Sequence, residues 1–287
     1  MASENKDRAG AGAALPERVR FRNVSRIFGT GPTARVAIKD VSFVVTDQPD
    51  AGELVTLVGP SGCGKSTVLR IIAGLGPHFP PTQGEATVFG KPIEGPSADR
   101  GIVDQKYSLL PHLTVLDNIS FGLKLKGVGR SERQALAREW VAKVGLDGAE
   151  TKYPAELSGG MQQRVAIAAT LILKPKILLM DEPFGALDPK IRLRMQELLI
   201  ELWKEQKATV FFVTHSVEEA IYLGDRVFRM GSNPGRLVEI LQLPRPEEPP
   251  ETMRMKPWFR EVTQELLKRL EEDAPAAGEL KSFTRTN

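Results

Sequence analysis

The chain has almost no cysteine. Cys63 stands alone among 287 residues, so no disulfide can form within it, and a cytosolic setting fits. Long apolar runs are missing too. The longest, VAIAATLIL, is cut by Lys174 and Pro175, well short of the roughly 18–20 apolar residues that span a bilayer. If this protein works at a membrane, another chain must provide the membrane part. A large charge of one sign is absent: 39 basic against 36 acidic residues leave +3, which gives nucleic acid no strong pull. The opening MASENKDRAGAGAALPER lacks the apolar core of a signal peptide. Residues 1–17 read as a disordered leader. There is no internal repeat.

What is present is ordinary globular composition, with 41% apolar and 26% charged residues. VRFRNVSRIF and RVAIKDVSFVV alternate as strands do. ELVTLVG is a short apolar strand that ends in glycine, and STVLRIIAGL has helical periodicity. GEATVFGKPI predicts a hairpin turning at Gly90, and GIVDQ a short strand. Thr114 is placed to cap the helix TVLDNISFGLKLKG, and SERQ at 131–134 reads as a capping box for ALAREWVAKV. Residues 106–164 therefore look like a helical insert. The α/β rhythm then resumes with KILLMDE, a helix over DPKIRLRMQELLIELWKEQ, the strand TVFFVTH, and a hairpin in DRVFRMGSNPGRLVEIL. LPRPEEPPE reads as a linker. Beyond it, KPWFREVTQELLKRLEED predicts a helix with Phe259, Val262, Leu266 and Leu270 on one side.

Two stretches have the chemistry of phosphate cradles. GPSGCGKST, at residues 59–67, fits the P-loop pattern through Gly59, Gly64, Lys65 and Ser66, with Pro60, Ser61, Gly62, Cys63 and Thr67 completing the loop. Its glycines let backbone amides turn inward, Lys65 adds a point charge for β/γ-phosphates, and Ser66 offers a hydroxyl to Mg²⁺. Cys63 reads as small filler. ILLMDE places Asp181 and Glu182 at the exposed end of a strand expected beside the P-loop strand. There Asp181 suits the Mg²⁺ shell and Glu182 suits polarisation of the attacking water. His215 ends TVFFVTH at the same crevice and is placed to touch a γ-phosphate. Gln105 ends GIVDQ, where its amide can reach the Mg²⁺ or the water. Phe28 ends the first strand and can stack on adenine. His78 and His112 have no such placement. The second cradle is LSGGMQQR at 157–164, with Ser158, Gly159 and Gly160 ahead of a buried-looking helix.

In this order, the parts resemble the ATP-binding cassette (ABC) ATPases over about residues 18–240. LSGGMQQR is similar to the family's signature motif, GALD at 185–188 to its D-loop, Gln105 to its Q-loop glutamine and His215 to its switch histidine. A P-loop kinase or a RecA-type motor shares the Walker motifs but not LSGG. The resemblance implies an α/β P-loop NTPase fold: a RecA-like core with a parallel sheet, an antiparallel β subdomain and the helical insert. The ATPase domain then spans residues 18–242, and a linker, helix and tail fill 243–287. It also implies ATP and Mg²⁺ as cofactors, with Asp188 joining the nucleotide site.

Two such subunits would pack head to tail, each signature helix closing the other's P-loop site over ATP. LSGGMQQRVAIAATL and DEPFGALD resemble importer ATPases, and GSNPGRLVEIL resembles the nitrate/sulfonate/taurine importers. Implied partners are a second ATPase subunit, two membrane permease subunits and an extracytoplasmic solute-binding protein, at the cytoplasmic face of the membrane. An exporter ATPase and a soluble ABC protein acting on nucleic acid or the ribosome are the alternatives. DQKYSLLPHL departs from the subfamily pattern around Gln105, at Asp104, Lys106 and Tyr107.

Overall fold

The computed structural model describes residues 15–46, 52–105, 109–245 and 248–272. Two sheets organise it. The first is antiparallel, in the order β2 (Arg35–Thr46), β1 (Glu17–Phe28), β4 (Gln83–Val88), β5 (Lys91–Pro92). The β4–β5 turn falls at Phe89 and Gly90, both at positive φ, the geometry that a tight hairpin demands. The second sheet runs β10 (Arg236–Gln242), β9 (Arg226–Gly231), β3 (Glu53–Val58), β8 (Thr209–Val213), β7 (Ile177–Asp181), β6 (Arg100–Val103). All its pairings are parallel except β10 on β9.

The parallel strands read as unbroken apolar runs because both of their faces are covered. Alternate side chains serve two cores. Val55, Leu57, Ile177, Leu179, Phe211 and Val213 face one core, shared with the antiparallel sheet and α1 (Lys65–Ala73). Leu54, Val58, Leu178, Met180, Val210 and Phe212 face the other. That second core is closed by α2 (Val115–Leu125), α3 (Arg130–Lys143), α4 (Gly159–Leu171), α5 (Pro189–Gln206) and α6 (Val217–Leu223).

The chain ends of the described region are α7 (Pro250–Met253) and α8 (Pro257–Glu272). Phe259 and Leu266 of α8 are buried in the second core, and Val262 and Leu270 pack on it, the face expected from their spacing.

Several expectations need correction. Helix α3 starts at Arg130 with Gly129 as its N-cap, so Ser131 lies inside the helix and caps nothing. Thr114 does cap α2, accepting from the Asp117 amide. Helix α4 is continuous from Gly159 to Leu171. Strand β7 is not beside the P-loop strand, because β8 lies between them. His215 stands two residues past the end of β8. Residues 1–14 of the expected leader, Lys106 and Tyr107, and the tail after residue 272 lie outside the described residues, while Glu17, the last residue of that leader, opens β1 instead.

Candidate nucleotide site

The carboxyl ends of β3, β7 and β8, and the residues following β6, open at one edge of the parallel sheet, where open α/β sheets bind ligands. A cavity of about 420 Å³ lies there. Its wall includes Ser61, Gly62, Gly64, Lys65, Ser66 and Thr67 of the P-loop, with Phe28, Gln105, Glu182 and His215. Gly64 is the N-cap of α1 at φ 94, a conformation that L side chains rarely adopt. A Cβ there would lie 2.2 Å from Ile38 Cγ2, so close packing of the loop on β2 also requires glycine. The first amides of an α-helix have no acceptor within it, so a helix start lining this cavity is suited to an anion.

Lys65 is buried, and its Nζ donates to the carbonyls of Gly59 (2.8 Å) and Pro60 (3.1 Å). These two residues shape the loop without lining the cavity. Cys63 is also outside the wall, fully buried. Burial pushes its thiol pKa up despite the nearby Lys65, which suits filler rather than a reactive thiolate.

Gln105 and His215, each just past a strand end, meet Glu182, just past a third. Gln105 Nε2 donates to Glu182 Oε2 at 2.8 Å. His215 Nε2 lies 2.5 Å from Glu182 Oε1. The backbone of Glu182 is at φ 50, its amide donates to Val213 O, and its carbonyl accepts from Gln163 Nε2 of α4. Asp181 is buried, not exposed, and stands behind the wall, where Ser66 Oγ donates to its Oδ1 at 3.0 Å. Burial raises the Asp181 pKa, and the Glu182 carboxylate adds to the rise against the Ser66 hydrogen bond. Among the described residues no cluster of three or more His, Cys, Asp or Glu could hold a metal by itself. The donor set here is instead a hydroxyl, an amide and two carboxylates, all hard oxygen ligands of the kind Mg²⁺ takes together with substrate phosphates.

The signature residues are elsewhere. Ser158 caps α4, accepting from the Met161 amide, and neither it nor Gly159 nor Gly160 lines the cavity. Asp188 also lies outside the wall and caps α5, its Oδ1 accepting from the Ile191 amide at 3.1 Å. A Cβ on Gly160 would lie 3.4 Å from Ala186 O, so the signature helix abuts the 185–188 loop.

Three wall residues were missed from sequence: Arg35 and Ala37, near the start of β2, and His78, in the loop after α1. No spacing pattern marks them, since each reaches the cavity through tertiary packing. Asp104, a departure from the subfamily pattern, forms an ion pair with Arg70 of α1 at 3.3 Å.

The sequence description of the ABC transporter family matches residues 38–185. The chain belongs to the ABC transporter family. This ABC ATPase is 53% identical to a taurine import ATP-binding protein of Rhizobium johnstonii over 202 residues, 70% of this chain and 74% of that protein. It is 45% identical to a nitrate import ATP-binding protein of Synechocystis over 236 residues, 82% and 86% of the two chains. An uncharacterised ABC transporter ATP-binding protein of Methanocaldococcus jannaschii is 48% identical over 226 residues, 79% and 82%. Among solved structures, a dimeric ATP-binding cassette in a post-hydrolysis state, bound to ADP and Pi, superposes with a TM-score of 0.71 at 33% identity. That match covers 79% of this chain and 99% of the other. The ABC ATPase is thus an ATP-hydrolysing cassette of importer type. Among its described residues no helix is long and apolar enough to cross a membrane.

Proposed function

We propose that this chain is the ATPase subunit of an importer for a small anion such as taurine, a sulfonate or nitrate. The observation that carries the catalytic part is the convergence of Gln105, Glu182 and His215 on the P-loop cavity. In this reading residues 59–67 cradle the phosphates and Phe28 stacks on adenine. Ser66, Asp181 and Gln105 hold Mg²⁺, which when bound neutralises phosphate charge. Glu182 takes a proton from the attacking water, and its two hydrogen-bonding neighbours fix its carboxylate. His215 reports on the γ-phosphate.

Ser158, Gly159, Gly160 and Asp188 have no role in their own chain's cavity. They serve the partner's ATP in a head-to-tail homodimer, where the exposed start of α4 favours an anion. The residue boundaries 18–242 for the ATPase domain and about 106–164 for its helical subdomain belong to the same reading.

A second cavity, about 390 Å³, lies between β6 and the insert and is lined by Ile102, Asp104, Leu110, Phe121 and Leu173. A permease segment docks there, so the chain is peripheral to the cytoplasmic face of the inner membrane. The permease in turn meets a solute-binding protein, and nucleic acid has no part. The taurine and nitrate import names of the relatives support the substrate class.

Light scattering on Glu182→Gln tests the dimer. MgATP should convert monomer to dimer, and Ser158→Arg should abolish the conversion. A dimer that survives Ser158→Arg would remove the signature helix from the shared site.

A further inference from the structure

The end of the cavity that holds Phe28 has a second ring. His78 meets Phe28 with ring centroids 5.2 Å apart and planes at 83°. It lies in the 76–80 loop, which is pinned on both sides of it. Arg26 donates to Pro80 O at 2.8 Å and also to Pro77 O, while its guanidinium carbon sits 5.0 Å from the Phe28 centroid. The Phe79 amide donates to Leu75 O at 3.1 Å, and the Phe79 ring packs on the first core. The backbone on both sides of the imidazole is thus held before any ligand arrives, which lowers the ordering cost of binding.

We propose that His78 is a base-contacting residue of the nucleotide site, walling the purine at right angles to the Phe28 ring. A base laid parallel to Phe28 stands nearly perpendicular to the imidazole, the edge-to-face arrangement that aromatic rings favour. Burial lowers the His78 pKa, and the nearby Arg70 and Arg26 lower it further. The ring is therefore neutral at pH 7 and suited to a base rather than to phosphate. Its Nδ1 is buried with no hydrogen-bond partner among the described residues.

The inference rests on the reading of Phe28 as the base-stacking residue. Calorimetric titration of the full chain with MgATP and, separately, with Mg-tripolyphosphate tests it. His78→Ala and His78→Gln should weaken MgATP roughly three- to tenfold and leave tripolyphosphate unchanged, while His78→Phe restores MgATP binding. Wild-type affinity for MgATP in both weakened variants, or equal losses for both ligands, would overturn the proposal. Phe28→Ala separates the two readings. If it binds MgATP as wild type does, the Phe28 assignment fails. If it weakens MgATP while His78→Ala does not, only His78 is removed.

Discussion

Glu182 is a non-glycine residue at φ 50, a backbone state that persists only where the surroundings impose it. The amide bond to Val213 O and the carbonyl bond from Gln163 are those surroundings. They aim a carboxylate at Gln105 and His215, in the cavity that Lys65 also lines. In the proposed function the two residues divide the labour. Glu182→Gln should keep ATP affinity and lose roughly 10²–10⁴-fold in turnover, the usual size of general-base catalysis. Lys65→Ala should instead lose affinity itself. Nucleotide titration beside a steady-state assay separates the two, and wild-type turnover in Glu182→Gln would remove it from the base role. The residue types at this site were legible in the sequence, because Gly, Lys and Ser after an apolar strand admit few other readings. The Asp181 position was not. Its burial and its hydrogen bond to Ser66 depend on which strands flank β7.

At the scale of elements, α8 is more than an appended helix. Its Arg269 hydrogen-bonds Glu239 of β10, and Glu239 also pairs with Arg229 of β9 at 3.0 Å. Arg229 is opposite Val58, one residue before the P-loop. Burial pushes the Glu239 pKa up, but the hydrogen bonds from Arg269 and Arg229 outweigh it and hold the pKa below the ordinary 4.5. A depressed carboxyl pKa stabilises the fold fully above 4.5 and loses that contribution as pH falls through the lower folded value. Acid unfolding should show this. The stability gap between wild type and Glu239→Gln should shrink as pH drops below 4.5, and a gap constant with pH would detach Glu239 from the effect. The apolar face of α8 was readable from its period. The ion pair and the hydrogen bond that tie it to the hairpin were not, because they join residues 30 and 40 positions apart.

For the whole molecule, the P-loop cavity and the start of α4 are separate features of one chain, and the signature residues are absent from the cavity wall. A site that needs both must borrow one of them. Hydrolysis per chain should then rise with chain concentration in the dilute range, since each turnover requires a pair, and level off once pairs dominate. A specific rate that stays constant across dilution would mean that a single chain completes its own site. The length of the apolar segments had already indicated that any membrane work belongs to other subunits.

The sequence alone determined the kinds of element, the two glycine-bearing motifs and the family, because each depends on residues close together in the chain. Turn chemistry, strand alternation and helix caps act over a few positions, and so they can be read locally. Only the tertiary structure decided that β8 separates β3 from β7, that Asp181 is buried behind Ser66, and that His78 and Arg35 reach the nucleotide cavity. Those facts follow from strand order and from the packing of one sheet on another. Both are settled by how the whole apolar surface is best buried, and no short stretch of sequence encodes them.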